Sequence, residues 1–194
     1  MACYKNLNRQ PEFKLAERDG QLGYYDVLTP LYAAFHEDDQ TFSLMWTEYS
    51  DELDIFYRRY LEYQQLYGAQ HGILAQSACL LPENAYTVSC IPWVPFKHFA
   101  VHSYENRSYY FPSVEAEEFY PAGDRLKMPL SLTCHHAAVD GYHVKCFWRI
   151  CKLIWTVWSR SLYRSYKRKM QKETRQSRVS FWCLVGDSNP GPIA

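Results

Sequence analysis

Lys127-Met128-Pro129-Leu130-Ser131-Leu132-Thr133-Cys134-His135-His136-Ala137-Ala138-Val139-Asp140-Gly141-Tyr142-His143 changes character twice along its length. From Lys127 to Cys134 apolar and polar residues alternate, which predicts a β-strand. Asp140 is a natural helix N-cap, and Val144, Phe147, Cys151, Ile154 and Trp158 follow along one side of a predicted helix. The pair His135-His136 falls in the connection between them. A histidine there can act as a general base, because its unperturbed pKa of about 6.5 lets it accept a proton at neutral pH. Asp140 can hold the turn through its carboxylate, and Gly141 lets the backbone bend sharply. Two adjacent histidines are equally compatible with a structural role. A metal site built from His135, His136 and Asp140 is disfavoured, since neighbours on a strand point to opposite faces. The same alternation sets Cys134 apart as a buried thiol rather than a nucleophile.

Outward from this segment the chain alternates strands and helices. Phe13, Leu15 and Ala16 precede Arg18-Asp19-Gly20, a hairpin signal, and Leu22 to Val27 supplies the returning strand. Thr29-Pro30 reads as a break and Leu31 to Phe35 as the next strand. Thr41 or Ser43 is expected to cap a long helix whose apolar positions Met45, Tyr49, Leu53, Phe56, Tyr60 and Tyr63 run towards Tyr67, with Gly68 at its end. Ala85 to Ile91 is a further strand, stopped by Pro92. The pattern predicts an α/β fold, an α+β two-layer sandwich with a mixed β-sheet covered by helices.

The chain has 194 residues, 47% hydrophobic and 17% aromatic, enough for one sizeable core and against general disorder. No stretch has the length of apolar sequence that a membrane helix needs, and the first residues lack the apolar core of a signal peptide. A soluble, cytoplasmic protein is expected, with no membrane partner. The 21 basic and 21 acidic residues balance, yet they are segregated. Ten basic and 19 acidic residues precede Lys145, whereas only Glu173 and Asp187 are acidic after it. The division predicts a domain over 1–159 and a basic, disordered tail over 160–194. The tail's lysines and arginines could meet nucleic acid, but a solvated tail is the simpler reading. The seven cysteines form no Cys-x-x-Cys pair, so neither a disulfide framework nor a zinc site is expected, and the thiols are read as reduced and mostly buried.

His135-His136-x-x-x-Asp140-Gly141-Tyr142-His143, preceded by Gly123-Asp124-Arg125-Leu126-Lys127-Met128-Pro129-Leu130, resembles the active-site segment of the chloramphenicol acetyltransferase family. Pro11-Glu12-Phe13-Lys14, Phe35-His36-Glu37 with Thr41-Phe42-Ser43, Trp46-Thr47-Glu48-Tyr49 and Pro92-Trp93-Val94 resemble the same family in order and spacing. The resemblance runs from about Arg9 to Val144. It implies the CoA-dependent acyltransferase fold, incomplete at the N-terminus because the family's first strand and helix lie upstream of Met1. It also implies a homotrimer with sites between subunits, and transfer of acetyl from acetyl-CoA to the 3-hydroxyl of chloramphenicol, an antibiotic-resistance reaction that needs no metal.

By this resemblance His136 is the general base, acting through Nε2, while Asp140 and Gly141 support its loop. The family pairs the aspartate with an arginine that falls in the missing N-terminal part, which would leave Asp140 a partly buried, unpaired carboxylate. By the same resemblance, the family's oxyanion-donating serine corresponds to Pro95 and its threonine near the oxyanion to Glu115. Proline has no hydroxyl or N–H to donate, and a carboxylate repels a developing negative charge. The alternative reading is therefore a catalytically impaired fragment of the family, retaining at most ligand binding or oligomerisation.

Overall fold

The computed structural model describes residues 2–91, 93, 109–118, 120–122 and 125–152. Its main sheet has five strands in the order β4-β3-β5-β6-β9. These are β3 (Thr29–His36), β4 (Thr41–Trp46), β5 (Ala85–Ile91), β6 (Ser113–Glu117) and β9 (Leu130–Thr133). β3 is parallel to β5 and β5 to β6, while β4 and β9 run antiparallel at the two edges. Two small hairpins accompany the sheet, β1 (Leu15–Arg18) with β2 (Gln21–Tyr24), and β7 (Tyr120–Ala122) with β8 (Arg125–Lys127). The helices are α1 (Ala2–Leu7), α2 (Leu53–Tyr67) and α3, helical over 141–152. A mixed sheet with helices packed on it is the α+β sandwich expected from the pattern.

The Arg18-Asp19-Gly20 signal forms the β1–β2 turn, with Asp19 and Gly20 both at positive φ (52° and 76°), as a two-residue hairpin turn of matching twist requires. Three expectations need correction. Pro30 does not interrupt a strand but lies within β3. Thr29 donates its N–H towards the β5 side, to Asn84 O, so the nitrogen of Pro30 faces the β4 side, where the ladder begins only at Leu31↔Trp46. The missing donor therefore falls where no partner strand needs it. Thr41 to Trp46 is strand rather than the first turns of a helix. Asp39 accepts from the Thr41 N–H and hydroxyl, Gln40 takes φ 57°, and the resulting turn folds β4 back on β3. Helix α2 accordingly starts at Leu53. Gly68 ends it with φ −61°, not left-handed, and its N–H still reaches Gln64 O. Finally, the expected strand Lys127–Cys134 is divided at Met128-Pro129 into β8 and β9.

Helix α1 has too few residues for its periodicity to be read, and it was not foreseen. Tyr4 and Leu7 are buried, with Phe13, Leu28, Tyr86, Val114, Val139 and Phe147, in the larger core cluster. Buried Asn6 ties α1 to α3: its side-chain amide donates to Phe147 O at 2.6 Å and its carbonyl accepts from Gln10 at 2.9 Å. Tyr4 meets Tyr49, Phe56 and Tyr86 at ring-centroid distances of 4.8, 4.8 and 6.4 Å, joining α1 to α2 and β5. A second cluster of Ala34, Met45 and Ala75 is covered by Tyr32, Tyr63 and Tyr67. The described cysteines are free thiols, but only Cys151 is buried; Cys3, Cys90, Cys134 and Cys146 are half-buried and Cys79 is exposed. The anticipated tail over 160–194, and Ile154 and Trp158, lie outside the described residues.

Leu7, fully buried, and Tyr4, whose buried hydroxyl has no hydrogen-bond partner among the described residues, make opposite predictions. Leu7→Ala should lower stability by about 2–5 kcal/mol through lost transfer energy and a cavity. Tyr4→Phe should be neutral or add up to about 1 kcal/mol, because it removes an unsatisfied polar group. Urea midpoints of both variants measure this, and a loss on Tyr4→Phe would show that the hydroxyl is paired.

Candidate functional site

Strand β9 delivers the chain to Thr133, and His135 and His136 lie beyond it in a turn rather than on the strand. Strand alternation therefore cannot separate the two histidines, which are both exposed. Hydrogen bonding does. The main-chain N–H groups of Ala138 and Val139 both donate to His135 O at 3.0 Å, closing the turn. The Ala137 N–H donates to His135 Nδ1 at 3.2 Å, so that nitrogen is an acceptor and the neutral ring carries its proton on Nε2. His136 is the reverse case. Its Nδ1 faces Val139 O at 3.3 Å, and a carbonyl only accepts, so Nδ1 carries the proton and Nε2 keeps its lone pair. Of the two, His136 presents a basic nitrogen without such an N–H donor.

Val139 is buried in the larger core and anchors the turn from below. Asp140 caps α3 as expected, accepting from the Tyr142 N–H at 2.8 Å and the His143 N–H at 3.3 Å. These N–H groups, His143 first, hold its carboxyl below the ordinary carboxylate value. A lowered pKa means that this capping persists above the ordinary carboxylate range and is lost only as pH falls through the lowered value. Asp140 is exposed and partnered, which corrects the expectation of a partly buried, unpaired carboxylate. His143 adds a brace: its Nδ1 lies 3.1 Å from the Asp140 N–H and 3.0 Å from Asp140 Oδ1, and its Nε2 lies 3.5 Å from Glu12 Oε1. The neutral ring accepts the N–H, and the protonated ring donates to the carboxylate. Gly141 begins α3 with open space around it.

Glu115 sits at the middle of β6, paired in register with Ser89 and Ser131, and is fully buried. The Ser113 hydroxyl donates to Oε1 in a short hydrogen bond, while Oε2 has no partner among the described residues. Burial raises the Glu115 pKa, with the Ser113 bond opposing it. Cys134 is pushed up to about 12, by burial first and then by the charge of Glu115, which keeps it a thiol as expected. Pro95 lies outside the described residues. A cleft of about 580 Å³ opens elsewhere, lined by Trp46, Glu48, Tyr63 and Gln76 among others, and neither histidine of the pair lines it. Away from both, the fold brings together His36, Asp38 and His71, a grouping that no spacing in the sequence reveals.

Comparison with known proteins gives the family and the fold. The family model described as chloramphenicol acetyltransferase matches residues 2–152, extending the resemblance of Arg9 to Val144 in both directions, over α1 and the rest of the described α3. The chain is 35% identical over 142 residues to a chloramphenicol acetyltransferase of Clostridium perfringens, covering 73% of this chain and 64% of that one. It is 36% identical over 138 residues to one of Escherichia coli, covering 71% and 62%. The chain thus spans a little under two thirds of these relatives' length. A solved chloramphenicol acetyltransferase superposes with a TM-score of 0.67 at 21% identity, covering 77% of this chain and 72% of that one. A dihydrolipoamide acetyltransferase of Azotobacter vinelandii superposes with a TM-score of 0.56 at 19% identity, covering 78% and 64%, and shares the fold.

Glu115 makes a pH-dependent prediction. Its raised pKa means that the folded chain holds the proton more tightly than the unfolded chain, so stability declines as pH rises from the ordinary carboxylate range through the raised value. Glu115→Gln removes that loss. The variant should match the parent at about pH 3 and be more stable than it at about pH 8, as measured by urea midpoints. An equal difference at both pH values would show that Glu115 ionisation does not act on stability.

Proposed function

The chain belongs to the chloramphenicol acetyltransferase family, and from that premise we propose that it is a chloramphenicol O-acetyltransferase with His136 as its general base. The observation that carries this reading is the bond from His136 Nδ1 to Val139 O, which leaves Nε2 as the acceptor. His136 Nε2 takes the proton of the 3-hydroxyl as the oxygen attacks the thioester carbonyl of acetyl-CoA. The tetrahedral oxyanion then collapses, the C–S bond breaks, and the imidazolium returns the proton to the sulfur. The products are the acetyl ester and free CoA. A hydroxyl is a poor nucleophile at neutral pH, so the base makes the attack feasible.

Asp140 and Gly141 support the loop in this reading. The exposure of His136 agrees with a site completed by a neighbouring copy, and a homotrimer in the cytoplasm is the form we propose, with acetyl-CoA as co-substrate. No described helix is long and apolar enough to cross a membrane. By the resemblance, Pro95 and Glu115 correspond to the family's serine and threonine at the oxyanion, and the buried carboxylate of Glu115 is the observation behind the second reading, a member of the family with impaired turnover.

The test is CoA release with chloramphenicol and acetyl-CoA. His136→Ala should lower the rate by about 10²–10⁴, the usual cost of losing a general base, whereas His135→Ala should have a small effect. Pro95→Ser should raise the rate by up to about 10² by restoring a donor. Unchanged turnover in His136→Ala would remove it from the reaction. Binding of both substrates without turnover in the parent chain would select the second reading.

The proposed boundary between the domain over 1–159 and the tail over 160–194 has its own test. Truncation after Ser159 should leave the melting temperature within about two degrees, the scale of a surface change. A large drop would make residues beyond 159 part of the fold.

A further inference from the structure

At the far end of the β3–β4 hairpin, two histidines each offer one ring nitrogen as a lone-pair donor beside a carboxylate. His36, the last residue of β3, is only 5% exposed and stacks on His71, their ring centroids 4.1 Å apart. His36 Nε2 lies 2.8 Å from Ser43 Oγ, and the Ser43 hydroxyl donates its one hydrogen to Gln70 O at 2.8 Å. Ser43 can therefore only accept from His36, which places the proton on Nε2 and leaves Nδ1 with its lone pair.

His71 is set in the same way from the other side. Its Nδ1 lies 2.9 Å from Asp39 Oδ2, and Asp39 is itself fixed by accepting from the Thr41 N–H and hydroxyl through Oδ1. Nδ1 donates to that carboxylate, so in the neutral ring Nε2 has a lone pair. That nitrogen faces Asp38 Oδ2 at 3.3 Å. Two acceptors at this distance repel unless a proton or a metal cation lies between them. Donors bound to zinc at about 2.0–2.1 Å in a tetrahedron stand about 3.3–3.4 Å apart, the spacing already present between His71 Nε2 and Asp38 Oδ2. One donor atom from each of His36, Asp38 and His71 lies within 4.8 Å of the others, and Asp38 and His71 are exposed enough to close the remaining distance.

We propose that His36, Asp38 and His71 form a binding site for a divalent transition-metal ion of the zinc class, with solvent in the fourth position. Asp39 and Ser43 orient the two imidazoles, as outer partners of metal-bound histidines commonly do. The ion clamps the β3–β4 turn to the loop that follows α2. The site shares no residue with the His136 loop, so its test is independent of the proposed acetyl transfer.

The experiment uses the full chain, freed of metal by a chelator and with its thiols alkylated to silence cysteine binding. Titration with Co²⁺ should give one equivalent of visible d–d absorption typical of nitrogen and oxygen ligands, displaced by Zn²⁺. His71→Ala and Asp38→Asn, both at exposed positions, should weaken binding by at least about tenfold, and Thr41→Val, which loosens Asp39, by a smaller factor. Zn²⁺ should raise the melting temperature of the parent chain and not that of His71→Ala. Absence of Co²⁺ binding would leave the two carboxylates to a protonated His71 alone and overturn the proposal. Undiminished binding in His71→Ala and Asp38→Asn would overturn it equally.

Discussion

The burial of Val139 is the constraint on which the chemistry of this fold rests. Its side chain enters the larger core beside Phe13 and Phe147, so the backbone between β9 and α3 must descend at that residue. Descent brings the Val139 carbonyl within reach of His136 Nδ1 and its N–H under the His135 carbonyl. The orientation of a surface imidazole is thereby set by a hydrophobic contact beneath it. Side-chain entropy that would oppose a fixed histidine on a mobile loop is spent when the core closes. Asn6 extends the same arrangement, because it fastens α3 to α1 at Phe147, nearly two turns into the helix.

Electrostatics divides the region between β6 and α3 into a solvated part and a dry one. The solvated part holds Asp140, His143 and Glu12, whose polar atoms meet N–H groups and one another under solvent screening. The dry part holds Glu115 and Cys134, and there burial dominates: it raises both pKa values and keeps the thiol neutral. His136 stands on the solvated side, exposed above the buried Val139. Glu115 is the exception to an otherwise orderly division, a carboxylate at the centre of a strand with one oxygen satisfied by Ser113.

Much of this was legible from short-range chemistry. Arg18-Asp19-Gly20 marks its turn because both central residues must accept positive φ, and Asp140 marks the start of α3 because its carboxylate can reach the next N–H groups. The helix over residues 53 to 67 was readable from its apolar spacing, whereas Thr41 to Trp46 was misread as its beginning. Met45 and Tyr49 fit a helical period by coincidence, and the strand is decided by pairing with β3, a contact distant from any local signal. Helix α1 is too short for periodicity, and its contacts with Phe147 and with the rings around Tyr4 reveal its importance. At the site, the histidine pair was plain, but the choice between the two rings depends on hydrogen bonds to Val139 and from Ala137 that adjacent residues do not encode. His36 and His71 meet only because the loop after α2 returns beside β4, where Leu44 exchanges hydrogen bonds with Ile73 and Ala75.

The strand order carries a consequence for biosynthesis. After the β3–β4 hairpin, β5 joins the free edge of β3, β6 then joins β5 and β9 joins β6, so from β3 the sheet grows outward on one side in the order in which it is translated. Thr29 must wait for Ala85 before its parallel partner exists, and such non-local pairing carries a loop-closure cost that slows folding. Until each newcomer docks, the nascent chain shows a ribosome-bound open edge, the kind of surface that chaperones cover. The histidine turn follows the last strand of this series, so it takes shape only once the chain of the main sheet has emerged.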